Sequence, residues 1–166
     1  MEVTLRKMTL DDLGEILELE NELFSPPWSY NSFVAELESD KRSCLVAECQ
    51  AKIIGYSIGA IFYDEVHIMS IGVTRSFQKS QVATKLMIEM INFAKSNLID
   101  SIVLEVRASN KPAIGLYTKF GFGPVAVRRN YYTKPVEDAL VLILNGVCGV
   151  EYEFRFNNLK EGLKTK

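Results

Sequence analysis

The stretch LEVRASNKPAIGLYTKFGF at residues 104–122 decides how this chain folds. Its first residues belong to a β-branched run at 101–106, which predicts a strand. Asn110 and Pro112 then predict the start of a helix, because an asparagine side chain caps a free backbone N–H and proline fits the first turn. The helix is expected to end before Gly121.

The segment before this stretch predicts a second strand and a long helix. An apolar run at 65–73 indicates the strand, and a helix follows at about 81–96 with Val82 and Leu86 on its apolar face. A strand, a helix and a strand in this order form a right-handed crossover, so the strands at 65–73 and 101–106 are expected to run parallel.

Ligands of such sheets bind at the carboxyl ends of the parallel strands, near a switch in strand order. This rule places residues 71–73, the loop at 74–80 and residues 105–110 around one predicted cleft.

The N-terminal part of the chain predicts a strand and two short helices. Residues 1–6 alternate apolar and polar side chains like a strand. Thr9 and Asp12 predict a helix cap, because a side-chain oxygen satisfies a free N–H and the acid meets the positive end of the helix. The prolines at 26–27 stop helical continuation, and Ser29 is expected to start the second helix.

Further strands are predicted from short apolar runs. Those at 44–48, 53–63 and 65–73 are separated by polar breaks, which favours antiparallel hairpins, and two more are expected at 125–132 and 139–144. The fold class is therefore α/β, with antiparallel N-terminal strands and a central parallel pair joined by a helix.

The domain organisation follows from length and pattern. The 166 residues fit one domain, which we place at 1–145. Residues 146–166 form a C-terminal extension, in which the alternation at 151–156 predicts an extra edge strand before a frayed tail.

Composition excludes several classes of function. A net charge of −2 offers no basic field for nucleic acid. Three cysteines without a CxxC pair and a single histidine argue against a zinc site, and no metal is expected. The N-terminus lacks the apolar stretch of a signal peptide, and no apolar run is long enough to span a membrane. We expect a cytoplasmic protein with reduced thiols and no membrane partner.

The order of elements and several motifs resemble the GNAT acetyltransferase superfamily, most closely its N-terminal protein acetyltransferases of the ribosomal-protein-alanine and archaeal types. The resemblance covers nearly all of residues 1–145 and implies a GNAT-type mixed sheet. The motifs that carry it are FSPPWSYNSF (24–33), HIMSIGV (67–73), LEVRASNKPAIGLYTKFGF (104–122), and RRNYY (128–132) followed by EDAL (137–140).

The resemblance implies transfer of an acetyl group from acetyl-CoA to a protein N-terminus. An α-amine with a pKa near about 8 must lose its proton before attack. In the family pattern Glu105 is the general base, joined by His67 in archaeal members, and Tyr117 is the acid that protonates the leaving thiolate. Structural roles also fit these residues: an ion pair between Glu105 and Arg107, a structural His67, and Tyr117 as a core aromatic.

The resemblance also implies residues that bind acetyl-CoA and the acceptor peptide. The backbone at 71–73 offers a strand edge on which the pantetheine arm docks, and Asn110 adds a hydrogen bond to that arm. The expected cofactor residues are Ile71, Gly72, Val73, Lys79, Ser80, Gln81, Val82, Ala83, Thr84, Asn110 and Tyr117. The expected peptide residues are Trp28, Tyr30, Ile71, Tyr131 and Tyr132.

One motif departs from the family pattern. The pyrophosphate loop usually reads Gln/Arg-x-x-Gly-x-Gly/Ala, whereas residues 78–83 read QKSQVA, with Gln81 at the first glycine position. Either Gln81 has helical φ and ψ and the N–H groups still bind phosphate, or it needs positive φ and weakens binding. We expect the helical conformation, with Ser80 as the cap and Lys79 adding charge.

Two other functions compete with N-terminal acetylation. The acceptor is alternatively a lysine side chain or a small amine, or the chain is a non-catalytic acyl-CoA-binding module. No cysteine falls at a predicted strand end beside Glu105, so direct attack is expected rather than an acyl-enzyme. The ribosome or a ribosomal protein is an expected partner.

Overall fold

The computed structural model describes residues 2–164. Strands and helices alternate much as the sequence predicts. In chain order they are β1 (Thr4–Lys7), α1 (Leu13–Leu23), α2 (Tyr30–Glu38), β2 (Arg42–Cys49), β3 (Lys52–Phe62), β4 (Glu65–Val73), α3 (Val82–Ser96), β5 (Ser101–Arg107), α4 (Lys111–Phe120), β6 (Gly123–Thr133), β7 (Val136–Asn145) and α5 (Val150–Lys164).

The strands form a mixed sheet in the order β1-β2-β3-β4-β5-β7-β6. Strands β4 and β5 are its parallel pair, so the predicted crossover and the α/β fold class are confirmed. The chain separates into two compact units by its contacts. The first comprises the chain up to Ala60 with Ile68–Met90, and the second comprises Ile61–His67 with the chain from Ile91 onward.

The first unit begins with the predicted cap. Thr9 and Asp12 form a capping box around a short 3-10 turn that leads into α1. Helix α1 then buries Leu13 and Ile16 in a core that includes Phe33 of α2. This spacing of three or four residues is that of a helix with one apolar face, which explains why the predicted helix forms here.

Strands β1, β2 and β3 pair antiparallel within this unit. Thr4 lies opposite Glu48, and Cys44 lies opposite Ile58. The predicted hairpin between β2 and β3 is therefore confirmed. Strand β2 is longer than its apolar run, because Arg42 and Ser43 extend the pairing at its start. Strand β3 has the predicted length but begins and ends one residue earlier, at Lys52 and Phe62.

The second unit contains the antiparallel strands β5, β7 and β6. Glu105 lies opposite Val141, and Arg107 lies opposite Ala139, which in turn faces Arg128 of β6. Directly paired residues point to the same face of a sheet. Alternate side chains of the three strands therefore share one face.

The C-terminal extension corrects a prediction. The edge strand expected at 151–156 is wrong, since these residues belong to helix α5. The alternation of Tyr152, Phe154 and Phe156 indicated a strand, but Phe154 is 74% exposed while the other two are buried. Tyr152 and Phe156 are four residues apart, which is the spacing of one helix face. The frayed tail expected after residue 156 is wrong up to Lys164, because α5 continues to that residue, and residues 165–166 lie outside the described part of the chain.

Among residues 2–164, no helix combines the length and the apolar character needed to cross a membrane.

Candidate functional site

The predicted site residues fall into two groups. The end of β4, the loop that follows it and the segment between α1 and α2 lie in the first unit. His67, the β5–α4 junction and the β6–β7 hairpin lie in the second unit.

The end of β4 is packed closely against α1 and β3. A Cβ placed on Gly72 would lie 3.0 Å from Leu23 Cδ1 and 3.0 Å from Tyr56 Cε1. Only glycine fits there without moving its neighbours, so Gly72 allows the helix and the tyrosine ring to approach the strand. Ile71 is half-buried beside it and Val73 is buried.

The loop after β4 contradicts the conformation expected for Gln81. Its φ is +65°, and Lys79 has a φ of +63°, so both adopt the left-handed conformation that favours glycine. Gln81 is also the last residue before α3, and its carbonyl accepts the hydrogen bond from Lys85 N at 3.0 Å. The loop thus keeps the backbone shape of a glycine-containing turn while carrying a side chain.

The role expected for Ser80 is wrong as well. Helix α3 starts at Val82, so Ser80 lies one residue too early to be its cap. The Ser80 hydroxyl instead donates a hydrogen bond to the carbonyl of Phe77 within the loop. Ala83 and Thr84 lie in the first turn of α3, where backbone N–H groups are free of intrahelical partners.

Glu22 anchors this loop, although no local pattern singles it out. Its carboxylate accepts hydrogen bonds from Arg75 N at 2.9 Å and from the Thr74 hydroxyl at 3.0 Å. The pKa of Glu22 is lowered, chiefly by the bond from the Arg75 backbone. Glu22 and Arg75 are 53 positions apart in the chain, which explains why the sequence alone does not reveal this contact.

The segment between α1 and α2 carries two predicted peptide residues. Trp28 is half-buried, and its ring lies 5.4 Å from that of Phe33. Tyr30 is 51% exposed at the first position of α2. Ser29 caps α2 as predicted, since its hydroxyl accepts a hydrogen bond from Ser32 N.

Glu105, in the second unit, forms an ion pair that the sequence did not predict. Its Oε1 lies 3.3 Å from Nη1 of Arg128, and 21% of its side chain is exposed. Arg107, the partner considered from sequence, pairs with Glu137 at 3.2 Å instead. A carboxylate that stays partly exposed remains able to exchange a proton with water or a ligand.

Tyr117 and Asn110 lie on α4, at opposite ends of one short helix. Asn110 is the predicted cap, because its Oδ1 accepts a hydrogen bond from Ala113 N at 3.2 Å. Tyr117 is 6% exposed, and its ring lies 5.8 Å from that of Phe122. Burial raises the pKa of Tyr117, and the neighbouring Tyr132 raises it further, so the phenol keeps its proton at neutral pH.

The β6–β7 hairpin brings the two predicted tyrosines together. The rings of Tyr131 and Tyr132 meet edge to face, with centroids 5.1 Å apart. The Arg107 guanidinium lies 4.1 Å from the Tyr132 ring, and that of Arg128 lies 5.4 Å from the Tyr131 ring. Each tyrosine therefore has its own arginine. Neither contact between a tyrosine and an arginine follows from the sequence pattern.

Arg107 also ties the hairpin turn to β5. Its guanidinium donates to the carbonyls of Lys134 and Pro135, each at 3.1 Å. Glu137 completes the junction by accepting a hydrogen bond from Ser109 N at 2.7 Å. The tyrosine pair thus sits on a hairpin that is held at both its turn and its strands.

His67 has partners close by in sequence. Its Nε2 lies 3.1 Å from Oε2 of Glu65, and its ring meets Phe62 edge to face at 5.3 Å. The imidazole is about one-third exposed, at 32%. A catalytic role for His67 stays a prediction.

Within residues 2–164, the structure has no group of three or more His, Cys, Asp and Glu side chains arranged to hold a metal ion.

Known proteins match this chain over most of its length. Residues 13–122 match the acetyltransferase (GNAT) family. A Bacillus subtilis protein is 36% identical over 138 residues, which cover 82% of this chain and 91% of the relative; its provisional name is ribosomal protein bS18-alanine N-acetyltransferase. A Sulfolobus acidocaldarius N-alpha-acetyltransferase is 29% identical over 151 residues, covering 83% of this chain and 89% of the relative.

A solved structure agrees with these relatives. The crystal structure of the ribosomal-protein-S18-alanine N-acetyltransferase from Escherichia coli superposes with a TM-score of 0.80 at 27% identity. The match covers 87% of this chain and 94% of that one. The same fold therefore extends over both units and leaves only a small part of this chain unmatched.

Proposed function

The chain belongs to the GNAT acetyltransferase family and is an acetyl-CoA-dependent N-α-acetyltransferase, and from this premise we propose which of its residues bind and react. The observation that carries the proposal is the β5–α4 unit, in which β5 presents a partly exposed carboxylate at Glu105 and the last turn of α4 carries a buried phenol at Tyr117. Direct acetyl transfer requires one group that accepts a proton and one that supplies it.

Glu105 acts as the general base. The substrate α-ammonium gives a proton to its carboxylate, directly or through one water, and the free amine attacks the thioester carbonyl carbon of acetyl-CoA. A tetrahedral intermediate forms, its nitrogen loses a second proton to solvent, and the intermediate then collapses with breakage of the carbon–sulfur bond. The acetyl group is then bonded to the substrate nitrogen as an amide.

Tyr117 acts as the general acid in the same step. Its hydroxyl gives a proton to the CoA thiolate as the carbon–sulfur bond breaks, so free CoA leaves as a thiol. A phenol carries its proton at neutral pH, and burial and the neighbouring Tyr132 raise the pKa of Tyr117 further. Solvent then returns the proton to the phenolate, and Glu105 releases its proton to solvent.

Acetyl-CoA binds along β4 and at the start of α3. The backbone of Ile71, Gly72 and Val73 holds the pantetheine arm as an added strand, and Asn110 donates a hydrogen bond to it. The pyrophosphate meets the first turn of α3, where free N–H groups and the helix dipole favour negative charge. Lys79 and Gln81 have the positive φ that glycines usually provide in this loop, so the side chain of Gln81 weakens the binding of the phosphates rather than abolishing it.

The acceptor is the N-terminus of a protein, and we propose a ribosomal protein as the physiological substrate. This proposal comes from the names of the relatives in Bacillus subtilis and Escherichia coli. A substrate of this kind places the reaction in the cytoplasm. Trp28 and Tyr30 in the first unit are peptide contacts, and so are Tyr131 and Tyr132 in the second unit, because aromatic rings supply contact area at low entropic cost.

A panel of peptides tests the acceptor. Acetyl-CoA turnover is measured with peptides that begin with Ala, Ser, Thr or Met, and with the same peptides blocked at the N-terminus but carrying a free lysine. We expect turnover with the free N-termini alone. Turnover of the blocked peptides at equal rates would show that the acceptor is a side-chain amine.

A further inference from the structure

A buried carboxylate that has no role in the proposed chemistry contacts the peptide segment, which is the stretch between α1 and α2 that carries Trp28. Glu20, on α1, is only 1% exposed. Its Oε1 accepts a hydrogen bond from Trp28 N at 2.9 Å, and its Oε2 accepts one from the Tyr56 hydroxyl. Taking a carboxyl group out of water is costly, and directed hydrogen bonds offset only part of that cost. We therefore expect the Glu20 carboxylate to hold its two hydrogen-bond partners in fixed positions.

Trp28 depends on this carboxylate for a backbone anchor. The two residues before it are prolines, which have no N–H to donate. Trp28 therefore supplies the first backbone donor after the proline pair, and it lies ahead of α2, which starts at Tyr30. The Glu20 bond holds the backbone at the point where the segment turns toward that helix.

Tyr56 links the Glu20 carboxylate to β4, the strand proposed to bind acetyl-CoA. Its fully buried ring lies 5.7 Å from Phe33, which also packs against Trp28. Its hydroxyl lies 2.7 Å from the Ser70 hydroxyl on β4. The peptide segment, the core and β4 thus meet at one hydrogen-bonded group, all within the first unit.

We propose that Glu20 and Tyr56 are positioning residues that set the peptide-binding segment around Trp28, and that they act on peptide affinity rather than on the chemical step. This inference rests on the proposed function, because it takes the Trp28 segment as part of the peptide site. Neither residue is assigned contact with the substrate. Their effect passes through the Trp28 backbone.

Three variants of the full chain test this role. Glu20→Met keeps a similar volume and removes both carboxylate oxygens, whereas Glu20→Gln keeps an oxygen for Trp28 N and an amide for the Tyr56 oxygen. Tyr56→Phe removes only the hydroxyl. We expect Glu20→Met to raise the peptide KM about tenfold, Tyr56→Phe about threefold, and Glu20→Gln less than about twofold.

The turnover rate at saturating peptide and the affinity for acetyl-CoA are the control measurements for these variants. For all three variants, kcat at saturating peptide and the acetyl-CoA Kd from calorimetry should stay within about twofold of the parent. A purely structural defect would weaken the binding of the peptide and of acetyl-CoA together. An equal loss of acetyl-CoA affinity in Glu20→Met, or an unchanged peptide KM, would overturn the assignment.

Trp28 itself gives a test that needs no activity. It is the single tryptophan of the chain, so intrinsic fluorescence reports this segment alone. Acrylamide quenching should rise about threefold in Glu20→Met and remain at the parent level in Glu20→Gln, since a released segment exposes the ring. Unchanged quenching in Glu20→Met and in Tyr56→Phe would refute the positioning role even if the proposed peptide activity were absent.

The Tyr56→Phe variant keeps the test decisive if Glu20→Met does not fold. Loss of one hydroxyl leaves the ring and its packing in place, so this variant is expected to fold. Its quenching should then rise by at least about half, because the carboxylate loses one of its two partners. A value equal to that of the parent would count against the proposal.

Discussion

Arg128 Nη1 lies 3.3 Å from Glu105 Oε1, so the proposed general base is paired with an arginine of the β6–β7 hairpin. The same arginine lies 5.4 Å from the Tyr131 ring. The position of the base and the position of a proposed peptide contact are therefore coupled through one guanidinium. Because Arg128 is 55% exposed, the pair orients the carboxylate without sealing it from solvent.

Replacing the base should remove turnover while leaving the fold intact. Glu105→Gln keeps the size of the side chain but cannot accept the proton of the substrate amine. We expect kcat to fall about 10²- to 10³-fold, with the acetyl-CoA Kd unchanged by calorimetry. Glu18→Gln, at an exposed position of α1, is the matched control and should keep full turnover. A Glu105→Gln enzyme with the parent rate would remove Glu105 from the mechanism.

Tyr117→Phe should separate the loss of an acid from the loss of a structural hydroxyl. Without the phenolic proton, the thiolate leaves less readily, and kcat should fall about 10- to 100-fold at an unchanged acetyl-CoA Kd. Tyr152→Phe is the control, because its buried hydroxyl donates to the Phe120 carbonyl at 3.0 Å. That variant should lose about 1 kcal/mol of stability and keep its turnover. If Tyr117→Phe lost stability but kept its turnover, Tyr117 would be a core aromatic residue rather than the acid.

Gln81→Gly should relieve an unfavourable backbone conformation in the cofactor loop. Gln81 has a φ of +65°, and glycine should gain about 0.5–1 kcal/mol there by thermal unfolding. We also expect acetyl-CoA to bind about two- to fivefold more tightly, because the loop N–H groups can approach the phosphates more closely.

A second left-handed position supplies the control for that variant. Ala51, in the turn between β2 and β3, has a φ of +60°. Ala51→Gly should stabilise the chain by a similar amount and leave the acetyl-CoA Kd unchanged. Weaker binding in Gln81→Gly would mean that the glutamine side chain itself contacts the cofactor.

Asp12 should make stability depend on pH in the acid range. Its hydrogen bonds from Arg6, both 2.8 Å long, lower its pKa to about 2, against the opposing effect of burial. A lowered pKa gives stability that is present above the unfolded value of about 3.9 and lost as the pH falls toward 2. We expect Asp12→Asn to lower the free energy of unfolding by roughly 1–2 kcal/mol at pH 7. The loss is limited to this amount because Arg6 is partly exposed, so solvent screens its ion pair with Asp12.

The measurement is urea unfolding at pH 7, 4 and 2.5. The gap in unfolding free energy between parent and Asp12→Asn should narrow as the pH falls, because the Asp12 carboxyl is protonated first in the unfolded state, where its pKa is about 3.9. Asp11→Asn changes an exposed residue of the same turn and should show no such gap. A gap of constant size across the three pH values would assign the loss to packing rather than to the charge of Asp12.

The sequence predicted the elements up to residue 145 because each carries a local signal. Thr9, Ser29 and Asn110 mark helix starts by side-chain chemistry that acts within three residues. The conformation of Gln81 was predicted wrongly, since the usual negative φ of a non-glycine residue is a local preference that the loop overrides.

Contacts between distant residues were beyond this kind of prediction. Glu105 and Arg128 are brought together by strand order, and Glu20 and Tyr56 are separated by 36 residues. No periodicity or spacing encodes such pairs, because they depend on how elements pack after they form. The catalytic candidates were therefore found through the family resemblance, whereas the groups that hold them required the structure.

Helix α5 should contribute to stability although it lies beyond the predicted domain. Phe156 is 1% exposed, stacks on Tyr152 at 6.1 Å and lies 4.9 Å from the Lys95 ammonium. Phe156→Ala should cost about 3–5 kcal/mol in urea unfolding, because a large buried ring is replaced by a cavity. Phe154→Ala, on the 74% exposed side of the same helix, should change stability by less than about 0.5 kcal/mol. Equal small effects in both variants would mean that α5 is a dispensable appendage, whereas the expected contrast would make it part of the core of the second unit.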